Sequence, residues 1–244
     1  MHYIESTDLE QHGTHALQGM DAILVPGGFG ERGIEGKIQA VRFAREQRVP
    51  YLGLCLGMQI AIVEYGRHVL GFPDANSTEF NRASSHPVIA LITEWQDQAR
   101  GAQQRDEASG KGGTMRLGAQ EVLLAAGSRV RELYGRDIIL ERHRHRYEFN
   151  NNYRTRFESG GFRLSGLSPD KRLVEFMELA DHPFYVGTQA HPEFKSRPDR
   201  PHPLFRELIA AALLRAEGRN PQIPFDDAEF DSLQAVGRAT EPVA

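Results

Sequence analysis

Twice before residue 70 a short apolar run breaks at a turn and gives way to a helical pattern. Ala22-Ile23-Leu24-Val25 stops at Pro26-Gly27-Gly28. From Gly33 to about Arg48, Ile34, Ile38, Val41, Phe43 and Ala44 recur at helical spacing with charges on the opposite face. Pro50-Tyr51-Leu52-Gly53-Leu54 repeats the apolar run behind an edge proline. Leu56 to about His68 then reads as a second helix, with Met58, Ile60, Ala61, Ile62 and Val63 inward. Strand, helix, strand, helix in this order implies parallel pairing. The expected fold class is α/β, a mostly parallel, doubly wound sheet with flanking helices.

The middle of the chain is less regular. Residues 88–92 read as a strand, and 97–113 (DQARGAQQRDEASGKGG) as an exposed, mobile loop. Further strands are expected near 120–124, 138–147, 162–166, 173–178 and 184–189, and a final amphipathic helix from Phe205 to Ala216. There is no internal repeat, so residues 1–216 read as one domain and 217–244 as a flexible tail. Hydrophobic residues at 40%, charged residues at 25% and a net charge of −4 fit a globular protein with no pull toward nucleic acid or a membrane surface. The N-terminus MHYIESTDLEQHG has no basic and apolar signal segment, and no apolar run approaches the ~20 residues that span a bilayer. A cytoplasmic location is the expectation. The single cysteine excludes an internal disulfide.

That cysteine is placed for chemistry. Gly53-Leu54-Cys55-Leu56-Gly57 has the form G-x-C-x-G between a buried strand and a helix, the cysteine counterpart of the G-x-S-x-G nucleophile elbow. The glycines suit a cramped turn, and the helix start favours a thiolate. The plain alternative is a buried structural cysteine. A cysteine nucleophile needs a base, and His191-Pro192-Glu193 follows an apolar stretch, with Glu193 near enough to orient the imidazole. Pro26-Gly27-Gly28-Phe29-Gly30 ends a strand that should lie beside the elbow, so an oxyanion hole from the N–H groups of Gly28 and Leu56 is expected. Gly28-x-Gly30-x-x-Gly33 also matches a dinucleotide fingerprint. That fingerprint wants an acidic residue about 20 positions on, where this chain has Tyr51-Leu52-Gly53-Leu54.

With these residues in place the sequence resembles the class I, triad-type glutamine amidotransferases, and more narrowly the glutaminase domains of CTP synthases. The elbow and His191-Pro192-Glu193 are common to the whole class. Asn76-Ser77-Thr78-Glu79-Phe80, Gly112-Gly113-Thr114-Met115-Arg116-Leu117-Gly118 and Glu141-Arg142-His143-Arg144-His145-Arg146-Tyr147-Glu148 are more particular to the synthases. The resemblance runs from the first residues to about Ala216. It implies a flavodoxin-like sheet and catalysis by Cys55, His191 and Glu193. It further implies an L-glutamine site in which Gly28, Leu56, Gly57, Met58 and Gln59 line the pocket. Glu79 would receive the α-ammonium group and Arg146 the α-carboxylate, since a zwitterion is oriented by one acid and one base set apart. Alternation along 142–146 puts the three arginines on one face and His143 and His145 on the other. The two histidines have no third ligand at metal spacing, so no metal is expected.

The resemblance also implies a separate amidoligase domain using Mg²⁺-ATP and UTP, GTP as activator, and a homotetramer; no cofactor is expected in this chain itself. It further implies one more strand and helix ahead of the segment matching Tyr3-Ile4-Glu5-Ser6. Without a central first strand the sheet would carry unpaired backbone. The chain is thus expected to be a marginally stable fragment, to be checked by thermal unfolding with and without an N-terminal extension. Two rivals remain in view: a stand-alone γ-glutamyl cysteine hydrolase and a non-catalytic regulatory module on the same fold.

Overall fold

The structure, a computed structural model, describes residues 1–91, 94–97, 101–104 and 115–218. Helix α1 (Ser6–His12) buries Leu9, and a 3-10 turn at Gly13–Leu17 leads into strand β1 (Ile23–Val25). Helix α2 (Ile34–Glu46) starts after Gly33, whose φ of 68° only glycine adopts readily, and buries Ile34, Ile38, Val41 and Ala44. Strand β2 (Tyr51–Leu54) is buried along its whole length. Helix α3 (Leu56–His68) is buried without a break from Leu56 to Gly66, as expected of a helix with structure on every side. Its buried Glu64 is paired with Arg45 of α2 at 2.7 Å. Strands β1 and β2 and helices α2 and α3 fall where the sequence pattern placed them.

The remaining elements are β3 (Asn76–Ser77), β4 (Pro87–Leu91), β5 (Glu94–Asp97), β6 (Gly101–Gln104), β7 (Arg116–Leu124), α4 (Arg129–Tyr134), β8 (Ile138–His145), β9 (Tyr147–Phe149), α5 (Arg154–Ser159), β10 (Phe162–Leu167), β11 (Val174–Leu179), β12 (Tyr185–Thr188) and α6 (Pro203–Ala216). Seven strands form the main sheet in the order β1-β2-β12-β11-β10-β7-β8, with β3-β4-β9 as a small second sheet. Helices cover both faces of the main sheet. Tyr51 points into a core shared with α1, α2, α3 and α5. Leu52 and Leu54 point the other way, into a core shared with α4 and α6.

The α/β class holds, but in the main sheet parallel pairing is confined to β1, β2 and β12. The pairs β12–β11, β11–β10, β10–β7 and β7–β8 are antiparallel. The links at 168–173 and 180–184 explain two of these pairings, because a parallel return needs a crossover of about a dozen residues or more. The expected loop at 97–113 also needs correcting. Asp97 and Gly101–Gln104 belong to the antiparallel β5–β6 pair; positions 98–100 and 105–113 lie outside the described residues. Of the expected tail at 217–244, positions 219–244 lie outside them too. Helices α1, α4 and α5 were not legible in the sequence, since at seven, six and six residues they are too short to show a period. Among the described residues no helix is long and apolar enough to cross a membrane.

Candidate active site

Pairing places the site. Strands β2 and β12 run parallel with Thr188 opposite Leu54, so the residues after both strands emerge at the same end of the sheet. Cys55 is the first of these. It caps α3 with φ 49° and ψ −99°, an unusual conformation for a residue with a side chain. Holding it there costs on the order of 1–3 kcal/mol. The surroundings fix it: Cys55 N–H donates to Thr188 C=O at 2.7 Å, and Gln59 N–H donates to Cys55 C=O at 3.2 Å. The flanking glycines are required sterically. A Cβ on Gly57 would stand 2.2 Å from the carbonyl oxygen of Val25, and one on Gly53 would stand 2.7 Å from the carbonyl carbon of Gly57.

His191 follows β12, and its N–H donates to the Arg142 carbonyl of β8 at 2.8 Å. Its Nδ1 donates to Glu193 Oε1 at 2.7 Å, and its ring stacks on Phe194 with centroids 5.3 Å apart. The imidazole is held protonated, its pKa raised to about 10 by the Cys55 sulfur first and Glu193 second, against the opposing effect of burial. No hydrogen bond of ordinary geometry joins Nε2 to Sγ, and Nε2 is buried without a partner among the described residues. Glu193 provides the directional contact. Burial pushes the Glu193 carboxyl up, but the bond from His191, its own backbone N–H and the nearby positive charge outweigh it, leaving the group below its ordinary value.

Gly27 ties the third segment to the other two. A Cβ there would lie 2.8 Å from His191 Cε1 and 3.5 Å from Cys55 Cβ. One residue on, a Cβ on Gly28 would lie 3.1 Å from Leu56 Cδ2, so the two expected oxyanion donors are neighbours. Among the described residues neither amide is spent on another backbone acceptor.

The expected pocket-lining residues divide by structure. Leu56 and Gly57 offer backbone at the helix start. The Met58 side chain is wholly buried and packs against Gly187, and Gln59 spends its amide inside the protein. Glu79 follows β3, and its Oε1 accepts the Gly30 N–H at 3.3 Å, which sets it beside the 26–30 loop. Burial raises its pKa, opposed by that N–H and by the charge of Arg146. The acid and base expected at opposite ends of a zwitterion are thus within electrostatic reach of each other.

Strand β8 alternates as the sequence implied: Arg142 and Arg144 are exposed, while His143 and His145 are buried. The buried face carries a charge cluster that the sequence did not reveal. Arg116 lies 2.6 Å from Glu175, His145 Nε2 contacts Glu148 at 2.8 Å, and His143 Nδ1 is 3.6 Å from Glu175. Arg116 stays cationic. Glu175, more deeply enclosed and with Glu148 nearby, has its charged form disfavoured by burial. His143 is driven well below its usual pKa by burial and by the charges of Arg116, His145 and His191. Gln189 was also missed, although a glutamine continuing the buried Tyr185–Thr188 strand is a signal in itself.

A strained cysteine at a strand-to-helix turn, a protonated histidine oriented by a carboxylate and backbone amides left free beside them form an arrangement suited to acyl transfer through a thioester. The chain belongs to the glutamine amidotransferase class-I family, whose sequence model matches residues 2–211. Among solved structures it is similar to the glutaminase domain of Trypanosoma brucei CTPS with bound acivicin: 38% identity, TM-score 0.76, covering 87% of this chain and 80% of that one. The fold also resembles a putative GMP synthase protein from Thermoplasma acidophilum, at 16% identity and a TM-score of 0.50, covering 88% of this chain and 79% of that one.

Proposed function

We propose that this chain is the glutaminase part of a CTP synthase, hydrolysing L-glutamine to glutamate and ammonia. The observation that carries the reading is the convergence of Cys55, His191–Glu193 and Gly27–Gly28 at one end of the sheet, in a family member 38% identical to a CTPS glutaminase domain. The Cys55 thiolate attacks the side-chain carbonyl carbon of glutamine, and the electron pair moves to the oxygen, which the Gly28 and Leu56 amides receive. Collapse breaks the C–N bond as imidazolium His191 gives its proton to the departing nitrogen. Neutral His191 then takes a proton from water attacking the thioester. The C–S bond breaks, the pair returns to sulfur, and the thiolate–imidazolium pair is restored.

Glu79 takes the α-ammonium group and Arg146 the α-carboxylate, with the backbone of Leu56 and Gly57 at the helix start forming the pocket wall. In this reading ammonia passes to an amidoligase domain outside this sequence, where ATP and Mg²⁺ serve the amination of UTP. GTP activation, a homotetramer and a cytoplasmic setting belong to the same reading.

The test is glutamate release from L-glutamine compared with a panel of γ-glutamyl peptides, with Cys55→Ser as control and acivicin as covalent probe. Hydrolysis of free glutamine and a mass increase on Cys55 are expected. Preference for γ-glutamyl peptides would favour the stand-alone hydrolase. Folded protein that neither releases glutamate nor takes the label would end the enzyme reading.

A further inference from the structure

Gln189 is wholly buried, and a buried amide is costly unless its polar atoms are used. Its main-chain N–H donates to Glu175 C=O at 2.9 Å. Its side-chain Nε2 stands 3.6 Å from Cys55 Sγ, within the reach of a bond to sulfur. Its Oε1 lies 3.2 Å from Gln59 Nε2, which also donates to the Tyr147 carbonyl at 2.9 Å.

The direction of this chain of contacts follows from its far end. A main-chain carbonyl only accepts, so Gln59 must turn its NH₂ group to Tyr147. An NH₂ group only donates, so Gln189 must turn its oxygen to Gln59. The Gln189 NH₂ is left facing the sulfur, and no amide flip satisfies the network otherwise. One contact points the opposite way: the Arg144 carbonyl, 4.0 Å from Sγ, would suit an S–H donor. It is the longer of the two and at the limit of a sulfur contact, so the amide dominates.

From this geometry we propose that Gln189 is a catalytic residue of the centre, its amide donating to Cys55 Sγ and holding the sulfur as a thiolate. The inference rests on the glutaminase reading for its role in turnover, but not for the contact itself. A thiolate accepts a hydrogen bond far better than a thiol or thioester sulfur does. The bond is therefore strongest in the resting enzyme, weakens as sulfur bonds to the substrate carbon, and re-forms when the C–S bond breaks and its electron pair returns. Gln189 thus steadies both the nucleophile and the leaving group of the second half-reaction. The protonated state of His191 fits the same charge pair.

Because the chain has one cysteine, iodoacetamide alkylation followed by intact mass reads Cys55 alone. Gln189→Leu removes the donor at similar volume. Gln189→Glu keeps an acceptor for Gln59 and turns a carboxylate toward the sulfur. At neutral pH the alkylation rate should fall about tenfold in Gln189→Leu and further in Gln189→Glu, with the rate–pH profile displaced to higher pH. For L-glutamine, kcat should fall in parallel while KM changes little. Wild-type alkylation rates in a folded variant would overturn the proposal, and the near-isosteric Gln189→Glu carries the test if Gln189→Leu does not fold. Alkylation needs no glutamine. A wild-type protein that alkylates readily but releases no glutamate would therefore overturn the proposed function and leave the Gln189 contact standing.

Discussion

Gly27→Ala isolates the placement of the imidazole from everything else in the site. The new methyl would meet His191 Cε1 at 2.8 Å and Nδ1 at 3.4 Å. Carbon atoms pack at about 3.5–4.0 Å, so the ring must retreat by roughly 0.7–1.2 Å. It has little freedom to do so: Nδ1 is bonded to Glu193, the ring is stacked on Phe194 and the backbone is bonded to Arg142. A displacement of about 1 Å at a reacting group costs on the order of 100-fold in rate, or about 2.7 kcal/mol of barrier. The expected result is kcat for glutamine hydrolysis lowered about 100-fold with KM little changed, because no proposed glutamine contact is touched. Gly27 does not have positive φ, so alanine suits the backbone. The loss of unfolded-chain freedom favours the folded variant by about 0.4–1 kcal/mol, which offsets part of the crowding. Steady-state glutamate release paired with a thermal melt makes the measurement. A folded variant with kcat within about threefold of wild type would refute the reasoning.

Glu193→Gln keeps the shape but removes the charge that holds the imidazolium. A hydrogen bond to a charged group is worth about 1.5–3 kcal/mol, so kcat should fall roughly 10- to 100-fold, and unaltered turnover would argue against a triad. With the His191 pKa raised to about 10, wild-type activity should persist into alkaline solution and decline as pH approaches that value; in Glu193→Gln the decline should begin at lower pH. The same group links stability to pH. The folded state binds the His191 proton more tightly than the unfolded chain does, so its contribution is intact below the ordinary histidine value of about 6.5. It is lost as pH rises through about 10. The stability of wild type relative to His191→Gln should shrink across that window in urea titrations, and growth across it would contradict the assigned sign. Arg116→Met leaves Glu175 and Glu148 buried without their cation and should cost about 3–5 kcal/mol of unfolding free energy. A loss under about 1 kcal/mol would mean the cluster is neutralised in another way.

The parts of the site written as local patterns could be read from the sequence. A glycine pair around a cysteine between two periodicities marks the elbow, because the crowding of Gly53 against Gly57 is a consequence of local chain geometry. The Glu193–His191 bond spans two residues and is likewise local. What could not be read depends on which strands become neighbours. Gln189 acquires its partners from the elbow, α3 and β11, and Arg116 meets Glu175 only because β7, β10 and β11 lie side by side in the sheet. The parallel bias of the first two strand–helix units likewise said nothing about the later strands. Tight links fold β10, β11 and β12 back antiparallel.

The proposed nucleophile and the residues that surround it are far apart in the chain: Cys55 and Gln189 are separated by 134 positions. They meet only when β12 docks beside β2, a pairing of high contact order that carries a large loop-closure cost and forms slowly. Recovery of turnover during refolding should therefore lag behind the recovery of helical signal from α2 and α3, whose contacts are local. A chain still emerging from the ribosome would hold Cys55 without its Gln189 and His191 neighbours until its last strand arrives, so the complete site appears only with the finished fold.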